Sequence, residues 1–301
     1  MSKPTLLILA AGMGSRYGGL KQMDPMGPND ETILDYSVYD AIRAGFGKVV
    51  FVIREDFAEA FREGVGSRFQ GRIEIDYAFQ KLEDLPEGYE LPSDREKPWG
   101  TAHAVRAARD VINGPFAVIN ADDFYGSDAY QKAADFLSEL SNDSTSYGIV
   151  GYYLKNTLSE HGGVNRGICT AENELLTNVE EVIDIQTRED GQITGTGLNG
   201  ETRKVASDDL VSMNFWCFSP KYFEQTETHF SDFLTKELNT PKSECYIPTV
   251  VDDYVAKKEA TCRVLPTISQ WFGVTYPDDK PRVVSAIQGL IEQGDYPTSL
   301  T

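Results

Sequence analysis

The chain has 301 residues, 41% of them hydrophobic, enough to bury a large core in one big domain or in a domain carrying a lobe. Its 47 acidic residues against 28 basic give a net charge of −19, a field that repels nucleic acid and anionic membranes, although a few cations and a metal ion can reverse the sign locally for a small phosphorylated substrate. Cys169, Cys217, Cys245 and Cys262 have neither CxxC spacing nor the density of a disulfide scaffold, residues 1–10 lack a secretion signal and no run of eighteen apolar residues occurs, so a reduced, cytoplasmic protein without membrane spans is expected.

Over the first 155 residues strand-like and helix-like patterns alternate, as in a parallel sheet covered by helices. Apolar runs predict strands at Thr5–Ala10, Val49–Ile53, Ile73–Phe79, Phe116–Ala121 and Tyr147–Leu154. Between them Leu34, Val38, Ala41 and Ile42 share one helical face, and Ala102, Val105, Ala108 and Val111 share another. A third helix, Ala129–Leu140, buries Ala133, Phe136, Leu137 and Leu140. The expected fold class is α/β, with a doubly wound, mostly parallel sheet. The acidic, proline-bearing segment Leu82–Lys97 predicts a loop, open to two readings: a flap over a ligand, or a plain solvated connection.

From about 160 to 218 the pattern changes to short β-type pieces, Ile168–Ala171, Thr177–Ile185 and Leu210–Phe218, separated by glycines and acidic turns. This predicts an inserted β-rich lobe. Helices return at Tyr222–Leu238 and Thr249–Lys257, followed by a strand at Gln270–Tyr276 and a helix at Arg282–Gln293. The organisation expected is a single domain over 1–301, with a core at 1–155, the β-rich lobe at 156–218 and a C-terminal completion at 219–301.

The first strand runs into Ala10-Ala11-Gly12-Met13-Gly14-Ser15-Arg16, then Tyr17-Gly18-Gly19-Leu20-Lys21. Glycines let a backbone approach a phosphate closely, and Arg16 and Lys21 add two cations at the carboxyl end of a strand, where α/β sheets bind ligands. A dinucleotide fingerprint needs glycine where Tyr17 stands, and a P-loop needs Gly-Lys-Ser/Thr where the chain has Leu20-Lys21-Gln22. A tight turn with two solvated cations is the plain alternative. After the strand at Phe116, Asn120-Ala121-Asp122-Asp123 places carboxylates at another carboxyl end, hard ligands of the kind magnesium takes together with substrate phosphates. Asp122 is the better candidate, and Asp123 can instead cap the next turn. Gln80 ends a third strand, with Lys97-Pro98-Trp99-Gly100-Thr101-Ala102 beyond the acidic loop. Its amide can read a base edge, and Gly100 can let a ring lie against the backbone. His103 either faces that ligand or is polar surface, and with His161 and His229 it makes no zinc spacing.

With these pieces in this order, each after a strand, the sequence resembles the sugar-phosphate nucleotidyltransferases, the family of glucose-1-phosphate thymidylyl- and uridylyltransferases, over most of residues 4–280. The specific matches are Leu9-Ala10-Ala11-Gly12-Met13-Gly14-Ser15-Arg16, Gly100-Thr101-Ala102 and Ala121-Asp122. The resemblance implies a Rossmann-like nucleotidyltransferase fold, Mg2+ as cofactor, and a nucleoside triphosphate and a sugar 1-phosphate as substrates. It gives triphosphate binding and catalysis to Arg16 and Lys21, magnesium binding and catalysis to Asp122, and pyrimidine reading to Gln80 and Gly12. Ala10, Ala11, Gly14, Ser15, Gly100 and Thr101 complete the nucleotide site, and Glu181 and Asn214 match the family's sugar contacts.

The chain departs from the family where Val182 follows Glu181, since many relatives carry there a lysine that meets the sugar phosphate. The step from Arg16 to Lys21 is short, Gln22 stands where a proline is usual, and a second metal-binding aspartate has no firm counterpart in Gln270–Asp279. The implied activity gives an NDP-sugar and pyrophosphate, with UTP favoured and dTTP the other candidate. Cytidylyl transfer to an alcohol phosphate such as phosphocholine is one alternative. A nucleotide-sugar-dependent glycosyltransferase is the other, usually marked by an Asp-x-Asp motif where this chain has contiguous aspartates.

Overall fold

The computed structural model describes residues 3–12, 24–159, 162–274 and 279–300. In chain order they form β1 (Thr5–Leu9), α1 (Ile33–Ala44), β2 (Lys48–Ile53), α2 (Ala58–Phe61), β3 (Glu74–Phe79), α3 (Thr101–Arg106), β4 (Phe116–Asn120), β5 (Asp123–Phe124), α4 (Ser127–Ser138) and β6 (Ser146–Tyr153). Then follow β7 (Val164–Glu172), β8 (Leu175–Thr187), β9 (Ile193–Gly197), β10 (Thr202–Val205), β11 (Leu210–Phe218), α5 (Lys221–Glu237), α6 (Ile247–Ala256), β12 (Thr261–Thr267), β13 (Phe272–Gly273) and α7 (Lys280–Glu292).

Strands β3, β2, β1 and β4 pair parallel in that spatial order. Leu6, Leu7 and Ile8 of β1 are all fully buried, because helices cover both faces, and this is why the strand reads as a continuous apolar run. Leu6 and Ile8 face one core with Leu34 and Val38 of α1 and Tyr130 and Ala133 of α4. Leu7 faces the other, with Val105 of α3, Phe230 of α5 and Val250 of α6. Helix α1 starts where the expected periodicity begins because Thr32 and Asp35 form a reciprocal capping box, and it ends at Gly45, whose φ of 91° suits only glycine.

Beyond β4 the sheet is mixed, which corrects the expectation of a mostly parallel arrangement. Strand β11 lies antiparallel between β4 and β6, and β12 pairs parallel with β6. Leu210–Phe218, grouped by sequence with the β-rich pieces, is therefore a central strand. Strands β7 to β10 extend the same sheet by antiparallel pairing, β7 onto β11 and β8 onto β12. Sequence periodicity missed β12, which carries Arg263 and Pro266. The proline is tolerated because β8 meets β12 only at Arg263, so the Pro266 side is close to an edge. Of the strand expected at Gln270–Tyr276 only Phe272–Gly273 is described as strand, paired with β5.

A third cluster, with Met26, Tyr36, Phe124, Phe272, Val283, Ile287 and Tyr296, packs α7 and the C-terminal residues against α1 and β5. All four cysteines are unpaired thiols. No helix among the described residues is long and apolar enough to cross a membrane.

Candidate active site

Of the residues singled out from sequence, Ala10–Gly12, Gln80 and Asp122 lie at the carboxyl edge of the parallel strands. Leu9 pairs with Val52 on one side and Asn120 on the other, and Ile53 pairs with Phe79. The three segments that follow are locked at the same level. Ala10 N–H donates to Val52 O at 2.8 Å, Ala121 N–H to Leu9 O at 3.1 Å and Gln80 N–H to Ile53 O at 3.0 Å. Gln80, the Ala10–Gly12 turn and Asp122 therefore leave the sheet side by side, where such sheets bind ligands. Ala10 and Ala11 are buried, whereas Gly12 is exposed with open space where a Cβ would stand. Gly14, Ser15, Arg16 and Lys21 lie outside the described residues.

A cavity of about 570 Å³ opens beside this turn, with Ala11, Gln80, Leu82 and Pro98 among its walls. Its rim is acidic, and the nearby cations are paired within it, Arg54 with Asp56 at 2.7 Å and Lys81 with Glu55 at 2.8 Å. Behind Gln80 lies His103, fully buried rather than ligand-facing or on the surface. Gln80 Nε2 is 3.1 Å from His103 Nδ1, and His103 Nε2 is 2.9 Å from Asp84 O. Burial pushes the imidazole down to about 4, so the ring is neutral at physiological pH.

Gly100 has φ 102°, and a Cβ there would collide with the backbone of Cys245. The close neighbour that demands glycine is thus the chain itself. Thr101 Oγ1 accepts from Ile247 N–H at 3.1 Å, tying the start of α3 to the start of α6. The acidic loop is pinned as a wall of the cavity. Asp84 is clamped by Arg106 and Arg109, each at 2.8 Å, and Trp99 Nε1 donates to Leu82 O at 3.0 Å. Buried Arg95 donates to carbonyls of Lys97, Pro98, Thr240 and Ser243, with its guanidinium 3.7 Å from the Trp99 ring centroid.

The two aspartates after β4 have different surroundings. Asp123 is buried and accepts from Asn120 Nδ2 at 3.0 Å and Tyr125 OH at 3.3 Å, and its Oδ1 lies 2.5 Å from where a Cβ on Gly273 would be. It does not cap α4, whose N-cap is Gly126. Asp122 is half-buried. A chain of amides orders this turn. Trp216 Nε1 donates to Asn214 Oδ1 and Asn214 Nδ2 to Asn120 Oδ1, both at 2.8 Å, before Asn120 reaches Asp123. Asn214 sits in a break of register of β11 with φ 62°, a strained setting for a non-glycine residue and one common at functional sites.

Glu181 is exposed on β8, opposite Gly167 of β7, which is itself opposite Ser212 of β11. Partial desolvation by the neighbouring strands raises its carboxyl, and Arg166 pulls it back. Arg166 is a residue that sequence reasoning missed. It stands on β7 opposite Val182, donates to Thr157 Oγ1 at 3.1 Å and to the Thr157 and Asn165 carbonyls, and lies 4.9 Å over the Trp271 ring. Burial lowers it to about 10 against the pull of Asp123 and Glu181. Together with Arg282 it lines a second cavity, of about 310 Å³, that reaches Gly273 beside the Asp123 carboxylate.

The edge thus offers an amide, a glycine-containing turn, a half-buried carboxylate and, beyond it, a pocket with two arginines. Comparisons with known proteins give the fold and the family. No curated protein sequence matches. Among solved structures, the chain is similar to the inositol-1-phosphate CTP transferase from T. maritima, with TM-score 0.59 and 12% identity over 97% of this chain and 98% of that one. It is also similar to a Bacillus anthracis protein assigned as a glucose-1-phosphate thymidylyltransferase, solved in complex with a sucrose, with TM-score 0.58 and 14% identity over 94% of each chain. At those identities the likeness carries the mixed α/β fold alone. The Nucleotidyl transferase family profile matches residues 5–237, most of the chain, and the chain belongs to that family.

Proposed function

We propose that this protein transfers a nucleotidyl group from a nucleoside triphosphate, UTP in preference to dTTP, to a sugar 1-phosphate, giving an NDP-sugar and pyrophosphate. The observation that carries this reading is the placement of Gln80 and Asp122 on either side of the Ala10–Gly12 turn at one sheet edge. The core at 1–155 takes the nucleotide, with the base against Gln80 and the phosphates along the first loop. The β-rich segment takes the sugar at Glu181 and Asn214. Arg166 and Arg282 line the adjoining cavity, a setting for the acceptor phosphate that compensates for Val182.

In this mechanism a phosphate oxygen of the acceptor attacks the α-phosphorus in line with the departing pyrophosphate. A phosphate monoester with second pKa ~6 is already largely dianionic at neutral pH, so no general base is needed and positioning with charge neutralisation suffices. Arg16 and Lys21 stabilise charge moving onto pyrophosphate. Among the described residues no three acidic, His or Cys side chains gather as a metal cage. Half-buried Asp122 is the residue that would hold Mg2+, an ion that usually takes one or two carboxylates together with phosphates and water, and the ion would supply charge neutralisation there.

The test is pyrophosphate release from UTP, dTTP and CTP, each paired with several sugar 1-phosphates, inositol 1-phosphate and phosphocholine. Release with UTP or dTTP plus a sugar 1-phosphate is expected. Release confined to CTP plus an alcohol phosphate would overturn the reading in favour of cytidylyl transfer, the activity in the T. maritima neighbour's name.

A further inference from the structure

Building on the reading of Gln80 as the base-contacting residue, we propose that His103 is a specificity-setting positioning residue: it holds the Gln80 amide in one orientation and so fixes the hydrogen-bond pattern offered to the nucleobase. The argument is one of donor and acceptor order. The Asp84 carbonyl can only accept, and at 2.9 Å it requires the proton on His103 Nε2. A neutral imidazole protonated at Nε2 leaves Nδ1 as an acceptor, and Nδ1 is 3.1 Å from Gln80 Nε2. Gln80 must therefore turn its amino group towards His103. Its carbonyl oxygen and second N–H are left for the cavity that Gln80 lines. The flipped amide would set two acceptors against each other at that distance and forfeit the bond.

The surroundings keep this order from relaxing. The His103 ring is wedged with its centroid 5.1 Å from that of Phe230. Arg106 Nη1 donates to the same Asp84 carbonyl at 2.9 Å, and the Asp84 carboxylate is clamped by Arg106 and Arg109. Arg106 is in turn paired with Glu227 of α5. Uracil and thymine present N3–H as a donor between acceptors, whereas cytosine presents N3 as an acceptor beside its amino group. An amide held in one order suits one pattern, and an amide free to flip suits both. Loss of His103 therefore relaxes base choice more than it weakens nucleotide binding.

Calorimetric binding of UTP and of CTP, each with Mg2+, to the full chain reads this without an acceptor. The wild type is expected to prefer UTP by about tenfold or more. His103→Leu, which keeps apolar packing against Phe230, should bring the two affinities to within about threefold. His103→Asn, whose own amide can flip with Gln80, should do the same and serves if the leucine variant fails to fold. In a Gln80→Leu background the His103 substitution should leave the ratio unchanged, because the group it orients is gone. A UTP preference that persists within twofold in either folded variant overturns the inference and leaves the nucleotide site standing. A wild type that binds both triphosphates equally, or neither, overturns the reading of Gln80 and the inference with it.

Discussion

Asp122 and Asp123 are neighbours in sequence with different expected consequences. Asp123 is spent on structure, as the acceptor for Asn120 and Tyr125 at the end of the amide chain from Trp216. Asp123→Ala leaves Asn120 Nδ2 without its acceptor in a half-buried setting and is expected to cost about 1–3 kcal/mol in urea unfolding. Asp122→Ala is expected to lower turnover roughly 10²–10³-fold in protein that remains folded, the usual loss for one electrostatic group at a transition state. Exchanged outcomes would exchange the roles. The pairing Asp-Asp was visible in sequence. The structural use of Asp123 was not, because it depends on Asn120, Tyr125 and Gly273, which meet Asp123 only after β4, β5 and β13 assemble. Gly100 is a parallel case. Its requirement for glycine was legible, but its cause is Cys245, 145 positions away in the chain.

At the scale of elements, the β7–β8 hairpin shows why the acceptor side was the hardest to read. Its turn, Asn173-Glu174, has φ 51° and 66°, so Glu172 faces Leu175 and Ala171 faces Leu176. Continued from that turn without interruption, the register would set Arg166 opposite Glu181. An irregularity between Thr170 and Ala171 shifts it by one residue, and Arg166 instead faces Val182, the position that lacks the expected lysine. A one-residue slip moves every side chain to the other face of a sheet, and nothing in the local sequence announces the slip. If Arg166 takes over the phosphate contact, Arg166→Met should raise the KM for the sugar 1-phosphate about tenfold or more, with the nucleotide KM changed less than twofold. Equal rises in both constants would refute the assignment. The acidic loop 82–97 is legible as a loop but not as a wall, since its anchors lie on α3, on α5 and in the 240–243 turn. Arg95→Ala removes four carbonyl contacts and the stacking on Trp99. It is expected to loosen the cavity, with a nucleotide KM raised severalfold and faster hydrogen exchange confined to 82–98.

At the scale of the whole molecule, the C-terminal residues pack against α1 and β5. The Tyr296 hydroxyl is 2.6 Å from Asp40 Oδ2 of α1, and its ring packs on Tyr36 at 5.3 Å and on Phe124 at 5.8 Å. The C-terminal residues thereby hold both α1, which follows the glycine-rich segment after β1, and β5, which follows Asp122. Asp40 is 1% exposed and its second oxygen has no hydrogen-bond partner. Burial pushes its carboxyl up to about 7, with the Tyr296 hydrogen bond and Arg43 pulling it part of the way back. An acid whose folded value lies above its unfolded one keeps a proton in the folded state that the unfolded chain has already released. Its contribution to stability is therefore complete below about pH 4, declines as pH rises towards 7 and stays at its lowest level above that. Asp40→Asn keeps an oxygen for the Tyr296 hydroxyl and has no charge to bury. Urea unfolding at pH 5, 6, 7 and 8 should show the variant gaining on the wild type through this range, by at most about 3 kcal/mol, and the gain levelling off above pH 7. Parallel stability curves for the two proteins would mean that Asp40 is ionised in the folded state throughout, and that the joint between the C-terminal residues and α1 carries no proton.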